Sequence, residues 1–127
     1  MKKTPTPVLP TEYSEQAALF RRAQLYVKQY PELRFLSGSL NGVRLSIGQA
    51  VKAKNAGMKK GYPDIFLPVP RGQYAGLFIE LKKRKGGRID PEQRVWQEFL
   101  LSQGYDHHFC RGADEAWERI LGYLTAT

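Results

Sequence analysis

Between Leu33 and Ile89 the chain carries twelve lysines and arginines but two carboxylates, Asp64 and Glu80. That stretch is formally +10 and the remainder of the 127 residues −2. The two acids fall in a frame that restricts the fold. Asp64 follows Gly61-Tyr62-Pro63 and heads an apolar run reaching Val69; Glu80 lies in Leu77-Phe78-Ile79-Glu80-Leu81-Lys82, with fifteen residues between the acids. Side chains two apart on a strand share a face, so Glu80 and Lys82 point one way and Leu81 points the other way, toward a core. If the two runs pair, Asp64 approaches Glu80. Two close carboxylates repel unless a cation lies between them. Mg²⁺ suits such a pair, because it takes oxygen ligands and keeps waters that substrate phosphate can displace.

The bulk numbers bound the rest. The length fits one domain with a single core. A net charge of +8 and a pI of about 9.7 point to a polyanionic partner. Cys110 is the only cysteine, which excludes an intrachain disulfide and a Cys-x-x-Cys metal site and makes a reducing, cytoplasmic interior the expected location. There is no apolar run of membrane-spanning length, and Met1-Lys2-Lys3 is followed by Thr4-Pro5-Thr6-Pro7 rather than an apolar segment, so neither a membrane partner nor a secretion signal is expected.

Along the chain, residues 1–10 hold three prolines and read as an extended arm, with the domain running from 11 to 127. A helix is predicted from Thr11 to about Tyr30, capped by Thr11 or Ser14 and closed by Pro31. Leu33 to Ser37 reads as a short strand and Gly38 to Gly42 as a turn. Ile47 to Ala56 forms a helix stopped by Gly57. Two strands follow, Asp64 to Val69 and Leu77 to Lys82. The run Asp90-Pro91-Glu92-Gln93 starts a helix reaching about Gln103, with Gly104 ending it. His107 to Cys110 is a last strand, and Asp114 caps a final helix through about Leu124. The order α-β-α-β-β-α-β-α makes an α/β domain with a small mixed sheet flanked by helices.

Lys82, beside a bound ion, would position or deprotonate the attacking water and stabilise charge growing on the phosphate. Lys52, Lys54, Lys59, Lys60, Lys83, Arg84, Lys85 and Arg88 would hold the nucleic-acid backbone. Each element also has a plainer reading: Pro63-Asp64 as a turn, and Glu80-Leu81-Lys82 as a charged strand face. On that reading the protein is a non-catalytic basic DNA-binding module. His107 and His108 are adjacent, face opposite ways on a strand, and do not make a metal pair by themselves.

The joint pattern resembles the PD-(D/E)xK nuclease superfamily, and within it the VRR-NUC family. The resemblance runs from Ser14-Glu15 through Asn41-Gly42-Val43-Arg44 and Gly57-Met58-Lys59-Lys60-Gly61-Tyr62-Pro63-Asp64. It continues through Phe78-Ile79-Glu80-Leu81-Lys82 to Gln93. It implies a restriction-endonuclease-like fold and a Mg²⁺- or Mn²⁺-dependent DNA endonuclease. Asp64, Glu80 and the Leu81 carbonyl would bind the ion, Lys82 would serve the water, Glu15 would add an outer carboxylate, and Gln93 would support the site. Arg44 would join the DNA-binding cations. Small members of the family look like homodimeric phage or bacterial nucleases, some acting on four-way (Holliday) junctions, which implies branched DNA as substrate. Two of these residues keep plainer roles beside the implied ones: Glu15 suits the helix dipole, and Gln93 can complete a capping box with Asp90. The family's Val-Arg-Arg tripeptide is absent; Phe109-Cys110-Arg111 is the nearest feature.

Overall fold

The fold is described from a computed structural model, over residues 10–39 and 44–126. The expected N-terminal arm and the turn around Asn41-Gly42 lie outside those residues, apart from Pro10, Gly38 and Ser39. The elements follow the expected order: α1 (Glu12–Leu25), β1 (Ser37–Gly38), α2 (Ile47–Asn55), β2 (Ile65–Leu67), β3 (Leu77–Lys82), α3 (Pro91–Ser102), β4 (Asp106–Arg111) and α4 (Gly112–Thr125). The sheet is ordered β1-β2-β3-β4, antiparallel except for the parallel pair β3–β4. A parallel pair needs a crossover, and α3 supplies it.

The alternation in β3 sets the layers. Leu77, Ile79 and Leu81 enter the main core with Leu19 and Ala23 of α1, Cys110 of β4, and Ala116, Trp117 and Ile120 of α4. Phe78 faces the other way and stacks on Phe66 at 4.2 Å between ring centroids, with Tyr105 and Tyr62 edge-on. Glu80 and Lys82 continue that second face, toward α3.

Several boundaries differ from the sequence reading. Leu33 to Ser37 is not one strand: Pro31–Phe35 is a 3-10 helix, and only Ser37–Gly38 pair with Phe66 and Ile65. Leu33 and Leu36 are buried three residues apart while Phe35 is exposed, which matches the threefold repeat of a 3-10 turn and not strand alternation. Helix α1 ends at Leu25, and hydrogen-bonded turns carry the chain to Tyr30. Strand β2 stops at Leu67 because Pro68 has no N–H to continue the ladder. Asp114 does not cap α4, which begins earlier at Gly112 with no side-chain cap from Arg111. Asp114 pairs with Arg22 instead, at 2.7 Å.

His107 is buried on the α3 side of β4. Its Nδ1 meets the Gln97 amide at 3.2 Å, while Nε2 has no partner among the described residues. Burial, with His108 adding to it, pushes its pKa down from 6.5 to about 4. Between those values the unfolded chain takes up a proton that the fold refuses, so stability falls as pH drops from 6.5 and levels off below about 4. Wild type should therefore lose several degrees of Tm between pH 7 and 4.5 beyond what His107→Phe loses, measured by thermal melts. Parallel curves for the two proteins would refute this.

Candidate active site

The site is built where β2 begins and β3 ends. Asp64 stands one residue ahead of β2, and the register Ile65↔Ile79 sets it beside the last residues of β3. Its Oδ2 accepts from the Leu81 N–H at 2.8 Å. A strand residue sends its N–H and C=O to the same edge, so the Leu81 carbonyl also lies on Asp64's side.

Glu80 and Lys82 are almost fully buried, at 3% and 6% exposure. Gln93, in the first turn of α3, joins them. Its Nε2 donates to Glu80 Oε1 at 2.9 Å, and its Oε1 accepts from Lys82 Nζ at 2.7 Å and from the Asp90 N–H at 3.0 Å. The two readings of Gln93 are thus one arrangement, in which the amide that completes the α3 capping box also spaces the acid from the lysine. Lys82 Nζ donates further to the Arg88 carbonyl at 3.3 Å.

The electrostatics are those of a pair short of positive charge. Burial raises the Asp64 pKa, against a hydrogen bond from Glu80, the Leu81 N–H and the charge of Lys82. Burial and then the charge of Asp64 raise Glu80 from 4.5 to about 9. Glu80, which keeps its proton at neutral pH, donates it to Asp64, and its Oε2 meets no other hydrogen-bond partner among the described residues. Two buried carboxyls that must share a proton to lie together offer the same place to a divalent cation. Among the described residues no cluster of three or more His, Cys, Asp or Glu side chains forms a metal site. The oxygens that could hold an ion here are those of two carboxylates and one carbonyl, a set that would leave places for water, as Mg²⁺ prefers.

The Gly61-Tyr62-Pro63 approach is shaped by contact with α3. Gly61 has a left-handed φ of +86°, and a Cβ there would stand 2.7 Å from the Glu92 carbonyl carbon. The Lys60 carbonyl accepts from Trp96 Nε1 at 3.0 Å, and the Lys60 ammonium lies 3.6 Å from Asp90. A pocket of about 220 Å³ results, lined by Lys60, Gly61, Tyr62, Asp64, Glu80, Asp90, Gln93 and Glu12.

The structure thus brings Asp64, Glu80, Leu81, Lys82 and Gln93 together. It places Glu15 elsewhere. Glu15 is 2% exposed; its Oε1 accepts from Arg84 Nε at 2.7 Å and its Oε2 from the Ala113 N–H at 2.6 Å. It supplies the cap that α4 lacks locally. The carboxylate of α1 that does reach the pocket is Glu12, whose charge adds to the upward push on Glu80. Sequence reading passed over Glu12, although it lies on nearly the same helix face as Glu15, one turn earlier.

Arg44, Lys52, Lys54, Lys59, Lys60, Lys83, Arg84, Lys85 and Arg88 are all exposed. They precede β2 or follow β3, hence flank the same end of the sheet, although Arg84 is tied to Glu15. Arg111 donates to the carbonyls of Lys83 and Gly86 at 3.1 and 2.6 Å, clamping the basic loop after β3.

An acid ahead of one strand, with an acid and a lysine ending its antiparallel neighbour, is the arrangement of the PD-(D/E)xK nuclease class. The comparisons with known proteins narrow it. The VRR-NUC domain family matches residues 11–114, and the chain belongs to that family. A solved structure described as a VRR_NUC domain protein superposes with a TM-score of 0.75 at 28% identity, covering 92% of this chain and 90% of that one. No curated protein sequence matches the chain. The family assigns a nuclease-type function on DNA. Among the described residues no helix is long and apolar enough to cross a membrane.

Two stability experiments follow from this geometry. With its pKa near 9, metal-free Glu80 favours the fold fully below about pH 4.5, and that contribution is lost as pH rises toward 9. Glu80→Gln cannot ionise, so in EDTA at pH 9 it should melt roughly 5 °C or more above wild type. Adding millimolar Mg²⁺ should close that gap; equal melting temperatures throughout would contradict the assignment. Glu15→Ala should cost about 2 kcal/mol in urea unfolding, by freeing a buried N–H and a guanidinium. Glu12→Ala should leave stability within about 0.5 kcal/mol of wild type.

Proposed function

We propose that this protein is a divalent-metal-dependent DNA endonuclease that hydrolyses phosphodiester bonds, using Mg²⁺ or Mn²⁺, and that it acts on branched DNA such as four-way junctions as a homodimer. The observation that carries the catalytic part is the convergence of Asp64 and Glu80, buried together and close enough to share a proton. A DNA-binding module gains nothing from two carboxylates held at raised pKa beside exposed lysines, so the plainer alternative is the weaker reading.

Asp64, Glu80 and the Leu81 carbonyl would hold the ion. When bound, it supplies a polarised phosphoryl oxygen and a water acidified toward hydroxide. The chain's own groups do the rest. Lys82, its ammonium held by Gln93 and the Arg88 carbonyl, aligns the attacking water and offers positive charge to the phosphate. Gln93 keeps Glu80 and Lys82 at a fixed spacing, so neither collapses onto the other. Glu12, across the pocket, takes the outer-carboxylate role expected of Glu15 and can accept a proton from water. The cations before β2 and after β3 hold the two flanks of the DNA backbone.

The branched substrate and the dimer rest on the family resemblance. Two symmetric strands at a junction suit a C₂ pair of sites. Val95 and Phe99 on α3, both more than half exposed, are an apolar surface available to a second copy.

Cleavage of labelled four-way junction and linear duplex with Mg²⁺, Mn²⁺ or EDTA tests the proposal. Wild type should cut only with metal, and Asp64→Asn should lose at least 10²-fold in rate while still binding DNA. Glu12→Gln should fall about tenfold, against a Glu15→Gln variant that loses activity only in step with its folding. DNA binding without metal-dependent cutting would return the binding-module alternative, and a monomer in sedimentation with junction DNA would remove the dimer.

A further inference from the structure

Among the described helices, α2 alone buries no side chain. Its ends are set locally, with Gln49 N donating to Ser46 Oγ at 3.2 Å, Ser46 N donating to Gln49 Oε1 at 3.0 Å, and Gly57 following at φ +104°. A helix held by its caps and not by packing presents its apolar face to something else. Ile47, Ala50, Val51 and Lys54 recur at i, i+3, i+4 and i+7, hence form one stripe. Ile47 is 87% exposed and Val51 54%.

The stripe borders a hollow. Ala50 and Lys54 line a cavity of about 340 Å³ together with Leu45, Met58, Lys59 and Lys60. Lys60 also lines the catalytic pocket, so the two hollows adjoin. An apolar floor with three lysines around it matches a flat apolar group that has negative charge on either side.

Charge decides between occupants. No acid occurs between Glu32 and Asp64. A second copy laying this helix on its twin would set Lys52 and Lys54 against like charges, whereas a polyanion is complementary to them. We propose that the hollow beneath α2 accepts an unstacked nucleobase next to the scissile phosphate, with Ile47 and Val51 packed on the neighbouring base. Apolar side chains serve DNA in this way where a base step is opened. In an intact duplex that opening costs unstacking and unpairing, whereas at a branch point much of it has already occurred. The hollow therefore selects branched or opened DNA. This inference rests on the nuclease reading and gives its branched-substrate preference a physical basis.

The test uses full-length protein and a four-way junction with 2-aminopurine at the branch point. In EDTA, wild type should brighten the fluorophore as the base leaves its stack. Ile47→Ser/Val51→Ser and Ala50→Gln, all at exposed positions, should melt like wild type and lose at least half of that brightening. With Mg²⁺, their junction-to-duplex ratio of cleavage rates should fall about tenfold, as for loss of one stacked base. Unchanged brightening and an unchanged ratio would overturn the proposal. So would conversion of a wild-type dimer to monomer by the double substitution, which would make the stripe a copy-to-copy contact. Brightening by a wild type that cuts no DNA would sustain the hollow and sink the nuclease reading.

Discussion

Two carboxyl groups buried at one end of a sheet cannot both ionise without a cation beside them, and the surroundings of Asp64 and Glu80 leave that constraint in force, so that Glu80 keeps its proton up to about pH 9. The Leu81 N–H satisfies one oxygen of Asp64, and the Gln93 amide satisfies one oxygen of Glu80. Lys82 sits on the same strand face but is held back by Gln93 and the Arg88 carbonyl, and no ion pair joins it to either acid. A direct ion pair would lower both carboxyls and use up the negative charge. Holding the lysine one amide away leaves the acids short of positive charge, which is a cost to the fold.

The rest of the fold serves that end of the sheet. The apolar face of β3 anchors it in the core with α1 and α4, while α3 covers the other face and delivers Gln93 from its first turn. Helix α4 begins on the far side of the same region, and the N–H of its second residue, Ala113, is satisfied by Glu15 from α1. Arg84 and Arg111 then pin the loop after β3, so that the basic residues there are presented from a fixed backbone. The basic stretch before β2 is different in kind, because α2 is secured by its own caps and leaves its apolar stripe uncovered.

Much of this was legible in the residues. Strand β3 was read to its exact ends, because six alternating residues can bury both faces only as a strand between other elements. The starts of α1 and α3 were carried by Thr11 and by Asp90-Pro91, whose signals are local. What failed was set by partners distant in sequence. Leu33 to Ser37 is as apolar as a strand, but packing selected a 3-10 repeat. Asp114 has a cap's chemistry, yet Arg22 claims it and Glu15 performs its function.

The same division holds for the site. Sequence by itself determined that Asp64, Glu80 and Lys82 would share one locality, because strand alternation and an acid-free basic field leave few other arrangements. It also determined the charge that faces DNA. Only the tertiary structure decided which carboxylate of α1 enters the pocket, since Glu12 and Glu15 lie one turn apart and nearly in line. The helix could present either; the N-terminus of α4 takes Glu15, and the cleft above β3 is left to Glu12. That choice depends on how α1 is set against α4 and the sheet, a packing relation that no local pattern of residues encodes.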